Sequence, residues 1–155
     1  MPLTGFFIDT NLLVLLVVGS VGRDLISKHS RLQSFEVEDY DRLLSLIRNF
    51  KRVFVTPNTL TETSNLLAQH GDPERSYFFR RFRSIIESSQ EFVVASDVAA
   101  ANNRFTQLGL SDAVLLEAVN AERPLVTVDS DLHRAALSKG PSTAVNFLHL
   151  QNRRR

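Results

Sequence analysis

The residues of this chain whose types and positions suggest chemistry are four carboxylates. Asp9 closes the apolar run Phe6-Phe7-Ile8, and Asp129 closes Leu125-Val126-Thr127-Val128. Glu62 follows the run Val53-Phe54-Val55 and the helix entry Thr56-Pro57, and Asp112 follows Gly109 and Ser111 at the head of an apolar stretch. The apolar runs read as short buried strands. In a parallel sheet, strand ends and the starts of the helices that follow share one edge, and open α/β sheets bind ligands there. Acids gathered at such an edge repel one another, so one must protonate or a divalent cation must join them. Mg²⁺ and Mn²⁺ favour carboxylate and water oxygens. A cation so held polarises a phosphate and lowers the pKa of a bound water.

Each acid alone also has an ordinary explanation. Asp9 and Asp129 can cap the helices that follow them. Asp112 suits the positive end of a helix. Thr59-x-x-Glu62 has the spacing of a capping box, but Thr56-Pro57 starts that helix earlier and places Glu62 in the second turn. Asp131 is an ordinary first-turn acid, and His133 stands one helical turn after Asp129. Only the joint pattern, with all four acids in equivalent strand-to-helix contexts, points to a site.

The elements that must position these acids alternate strand and helix. Leu12–Val18 is a seven-residue apolar run that reads as a buried helix, loosened by Gly19 to Gly22. Residues 23–34 read as a short helix or loop, and 38–51 as an amphipathic helix. After the strand 53–55, a helix runs from Pro57 to about His70, and another from Asp72-Pro73 to about Ser89 with Phe78, Phe82, Ile85 and Ile86 as its buried stripe. Phe92-Val93-Val94 reads as a third strand. Asp97 then caps a helix through Gln107, ended by Gly109, and Ser111 caps one over 112–121. The strand 125–128, a helix over 130–138 and a strand over 145–148 complete the pattern. It predicts an α/β fold with a mostly parallel, roughly five-stranded sheet covered by helices on both faces. Residues 1–150 read as a single domain and 151–155 as a basic tail.

The totals narrow the choices. A chain of 155 residues suits one domain. It contains no cysteine, so disulfides and thiolate metal sites are excluded and any metal needs oxygen or imidazole ligands. Net charge is +1, so any basic binding surface must be local. The apolar run 12–21 is too short to span a bilayer and has no basic flank of the signal-peptide kind, so a cytoplasmic protein without membrane association is expected. Arg75, Arg80, Arg81 and Arg83 interleave with Tyr77, Phe78, Phe79 and Phe82, which reads more readily as a core stripe beside a solvated face than as an RNA platform. Leu12–Val18 and the Phe-rich helix suggest more apolar surface than one small core buries, and hence self-association.

Phe7-Ile8-Asp9-Thr10-Asn11, Thr61-Glu62, Leu110-Ser111-Asp112-Ala113 and Val126-Thr127-Val128-Asp129-Ser130-Asp131 together resemble the successive acidic motifs of the PIN-domain ribonucleases, a family that includes the toxins of VapBC-type toxin–antitoxin systems. The resemblance spans nearly the whole chain, in order. It implies a three-layer α/β/α fold and Mg²⁺- or Mn²⁺-dependent cleavage of RNA. Asp9, Glu62, Asp112 and Asp129 would be the catalytic acids and metal ligands, Asp131 a further ligand, and Asn11 and Thr127 their polar support. It also implies an RNA substrate, a cognate antitoxin and a homodimer as partners. The segment 23–51 is longer than in the small toxins, which keeps in view a PIN-fold nuclease without an antitoxin or a silent scaffold that binds RNA or protein. Two other classes fit less well. An Asp-x-Asp phosphatase would need a second aspartate where Asn11 stands. A phospho-acceptor receiver domain would need a lysine at the end of the last strand, where His149 follows Leu148.

Overall fold

The computed structural model describes residues 4–147. Five short parallel strands, β1 (Phe6–Ile8), β2 (Val53–Val55), β3 (Gln90–Glu91), β4 (Leu125–Thr127) and β5 (Ala144–Asn146), form one sheet in the order β3-β2-β1-β4-β5. The helices are α1 (Thr10–Val21), α2 (Val37–Phe50), α3 (Pro57–Leu67), α4 (Glu74–Ser88), α5 (Ser96–Ala100), α6 (Phe105–Leu108), α7 (Leu110–Ala118) and α8 (Ser130–Leu137), with 3₁₀ turns over Arg23–Lys28 and Ser30–Leu32.

Successive strand residues face opposite sides of a sheet, and the two cores follow that rule. Phe6, Ile8, Val53, Val55 and Val126 pack with α1, α2, α3 and α4. Phe7, Phe54 and Leu125 pack with Leu115, Leu116, Val119, Leu132 and Ala136 from the other layer. The architecture is three-layer α/β/α, as expected. Helix α1 is apolar around its whole circumference and lies within the first core, with Leu12 to Gly19 all buried. Gly19 does not loosen it. The helix continues to Val21, and the Tyr40 ring of α2 sits against Gly19 so closely that an added Cβ would lie 2.3 Å from Tyr40 Cδ2.

Several expectations need correction. The third strand is Gln90–Glu91, not 92–94; Phe92 still donates its N–H to Val55 O, but Val93 is 75% exposed. The helix expected over 97–107 breaks after Ala100, because Asn102 Oδ1 accepts from Arg104 N and holds a turn instead. Gly109, at φ 88°, caps α7, so Ser111 lies inside the helix rather than at its cap. That helix stops at Ala118, where Lys139 Nζ donates to the carbonyls of Leu116 and Val119, rather than at 121. Helix α3 stops at Leu67, short of His70. Ile86 is 39% exposed rather than core, whereas Phe78 and Phe82 are buried. Leu12–Val18, expected to add to an apolar surface surplus, is wholly buried, whereas Tyr77 and Ile86 of the Phe-rich helix are exposed. Among the described residues no helix is long and apolar enough to cross a membrane. Leu148, His149 and the basic tail lie outside the described residues.

Candidate metal centre

The sheet order reverses direction between β1 and β4, which are paired neighbours. At such a switch point the loops leave the carboxyl edge in opposite directions and open a crevice. Asp9 and Asp129 follow these two strands. Helix α3 follows β2 and brings Glu62 to the same edge in its second turn. Helix α7 runs back toward β4, so its first turn, with Asp112, starts at that edge too.

Asp9 is the fixed member of the group. Its side chain is buried, and it accepts from Leu12 N at 2.9 Å as the N-cap of α1. Its second oxygen accepts from Thr127 Oγ1 at 2.5 Å and Val128 N at 3.2 Å, so the acid is tied across the switch point to β4. Burial pushes its carboxyl up, and the Asp129 charge adds to this against the lowering effect of the three hydrogen bonds. Thr127 Oγ1 in turn accepts from Asp129 N at 3.0 Å, so one hydroxyl joins the two acids. Asp129 caps α8 through Oδ1, which accepts from Asp131 N and Leu132 N.

Asp112 is the member most strained by charge. Burial and the negative charges of Asp129, Glu62 and Asp9 push its carboxyl up to about 7. Each of the other three carboxylates therefore acts on this one side chain, and each acts to keep a proton on it. Glu62 is exposed and stands beside a recess of about 250 Å³ lined by Pro57, Asn58, Thr61, Glu62 and Ser111. Asn58, Thr61 and Ser111 were not expected at the site. The four-residue spacing of Asn58 and Glu62, which puts both on one helix face, is the signal that could have found the first of them.

The other expected residues stand apart. Asp131 is exposed and ion-paired with Arg134, and it does not figure among the charges acting on Asp112. Asn11 lies partly exposed in the first turn of α1 and makes no hydrogen bond to any of the four acids.

The donor set is all oxygen and is acidic, with one carboxyl raised by burial and by its neighbours, which suits Mg²⁺ or Mn²⁺. Among the described residues, no three Asp, Glu or His side chains already stand in the arrangement that grips one ion. The capping bonds explain the spacing. Both oxygens of Asp9 and Oδ1 of Asp129 face backbone or hydroxyl donors, so Glu62 and Asp112 are the side chains with freedom to turn inward. No family model matches the chain, and no curated protein matches it.

Proposed function

We propose that the chain is a metal-dependent endoribonuclease that hydrolyses RNA phosphodiester bonds. Asp9, Glu62, Asp112 and Asp129 would hold Mg²⁺ or Mn²⁺. The observation that carries this reading is the joining of Asp9 to Asp129 through Thr127 across the switch point of a parallel sheet, with Asp112, partly buried, near enough to feel both of them and Glu62. Acids gathered in this way are relieved by protonation or by a divalent cation, and Asp9, Glu62, Asp112 and Asp129 would hold such a cation through carboxylate oxygens. When bound, such an ion supplies a polarised phosphate and an activated water.

The chain's own residues do the positioning. Thr127 and the Val128 N–H fix the orientation of Asp9, and Thr127 also holds the backbone of Asp129. Burial and the charges of its neighbours raise the Asp112 carboxyl to about 7, and a bound cation would oppose that rise and favour the ionised ligand. The recess beside Glu62, with Asn58 and Ser111, offers hydrogen-bonding groups to a strand lying across the edge. With the motif resemblance, this reading extends to the toxin of a VapBC-type pair, with a protein antitoxin and a second copy of the chain as partners.

The test is cleavage of end-labelled RNA in Mn²⁺, in Mg²⁺ and in EDTA, by the wild type and by Asp112→Asn. Cleavage in either metal, none in EDTA and loss in the variant are expected. Cleavage that persists in EDTA, or an Asp112→Asn chain that cuts as the wild type does, would overturn the reading.

A further inference from the structure

We propose that the cleft between the end of α1 and the middle of α4 is a second nucleotide site, which holds single-stranded RNA by a phosphate and an adjoining base away from the acids. The cleft is about 440 Å³ and is lined by Val21, Tyr77, Arg80, Arg81 and Ser84. That volume falls in the range of small-ligand pockets, roughly 300–1,000 Å³. The four α4 residues are spaced i, i+3, i+4 and i+7 and form one continuous face of the helix. The arginine- and phenylalanine-rich stretch thus separates into two stripes. Phe78 and Phe82 are core, whereas Tyr77 is 48% exposed. Arg75 belongs elsewhere, over the Phe79 ring at 4.8 Å.

The charge on this face is unbalanced. Arg23, Arg42 and Arg134 each pair with an aspartate, but among the described residues no acid pairs with Arg80, Arg81 or Arg48. Burial raises the Tyr40 hydroxyl pKa, and Arg81 and Arg48 act on that hydroxyl together with the Arg23–Asp41 pair, whose charges offset one another. Arg80 lies 5.8 Å from the centroid of the Tyr77 ring, so an aromatic face and a guanidinium plane stand side by side. A base stacked on Tyr77 with its phosphate on Arg80 and Arg81 uses each of these groups for the contact it makes best. The 12-residue α1 has Asp9 at one end and Val21 at the other, about 18 Å apart along the helix. The choice of a strand over a free nucleotide rests on the nuclease reading.

The experiment is polarisation of a short labelled uridine oligomer with the full chain in EDTA, across a range of salt concentrations. Arg80→Ala with Arg81→Ala is expected to weaken binding at least tenfold and to flatten the salt slope by about 1.4, the loss of two phosphate contacts. Tyr77→Ala is expected to weaken binding about tenfold with the slope unchanged. Arg80→Lys with Arg81→Lys should keep the slope. Double-alanine and Tyr77→Ala variants that bind as the wild type does would overturn the proposal, as would uridine monophosphate binding as tightly as the oligomer. Arginine-dependent binding by a chain that cuts nothing supports the cleft and defeats the nuclease reading. Cleavage by a chain whose arginine variant binds normally does the reverse.

Discussion

The two ends of α1 carry opposite unbalanced charge. At its first residue, the acids converge and one of them is driven toward neutrality. At its last, Arg80 and Arg81, which pair with no acid among the described residues, line a cleft. The helix dipole favours this placement, with negative charge at the amino end and positive charge at the carboxyl end. Between them α1 is wholly apolar and fixed in the core. The difference teaches what each end is suited to bind. On the proposed reading the acidic end would draw a small hard cation and the basic end a phosphate, with α1 as a rigid spacer between the two contacts of one strand.

The largest expected effect comes from breaking the acidic end. Asp112→Asn removes a charge but no hydrogen bond that holds the backbone, so RNA cleavage in Mn²⁺ should fall on the order of a hundredfold or more while the fold stays intact by circular dichroism. An activity loss accompanied by unfolding would assign Asp112 to structure instead.

The spacer is the next place to strike. Gly19→Ala would drive a methyl into the Tyr40 ring, and a cost of about 1–3 kcal/mol is expected from overpacking. Chemical denaturation checks this, and an unchanged midpoint would show that α2 moves freely on α1. Asp9→Asn should also destabilise, by about 1–2 kcal/mol, because its amide nitrogen or oxygen must leave one of the Leu12, Thr127 and Val128 donors unmatched. Size and capping ability alone suggest a neutral substitution here, since Asn caps helices about as well as Asp. The bond across the switch point is what changes that expectation. Asp112→Asn is therefore the cleaner probe of function.

Further effects are in pH dependence. The Asp112 pKa is raised from its ordinary 3.8 to about 7 in the folded chain. The folded state then binds more protons than the unfolded one between those values, and stability falls as pH rises through the window. Asp112→Asn should remove that slope and raise the melting temperature more at pH 8 than at pH 5, without metal. The opposite sign holds at His29, which burial, His70 and Arg31 lower from 6.5 to about 4. Stability is lost there as pH falls from about 6.5 toward 4, and His29→Phe should flatten that acid limb.

Much of the acidic end was legible in the sequence and little of the basic end was. β1, β2 and β4 are central strands buried on both faces, so their runs are apolar and end visibly on polar residues. β3 is an edge strand whose paired residues, Gln90 and Glu91, are polar and exposed, while the apolar Phe92 and Val94 just beyond it serve the core from a loop. Periodicity therefore pointed two residues too far. Helix ends at Ala100 and Ala118 were missed because the stops come from side chains: Asn102 from close by, and Lys139 from the turn after α8. The four acids could be placed because strand ends fix an edge. That Thr127 would join Asp9 to Asp129 depends on the β1–β4 pairing, and that Asp131 would pair with Arg134 depends on rotamers. The separation of Tyr77, Arg80 and Arg81 from the core stripe was not legible, because the phenylalanines of the same helix carry a stronger core signal.

The most direct test of the acidic end is a calorimetric titration of Mn²⁺ into the wild type, Asp112→Asn and Glu62→Gln. Binding by the wild type is expected, weakened about tenfold or more in each variant, with a wild-type stability gain of roughly 2.7 kcal/mol at a hundred times Kd. A wild type that takes up no Mn²⁺, or variants that bind it equally well, would contradict the account.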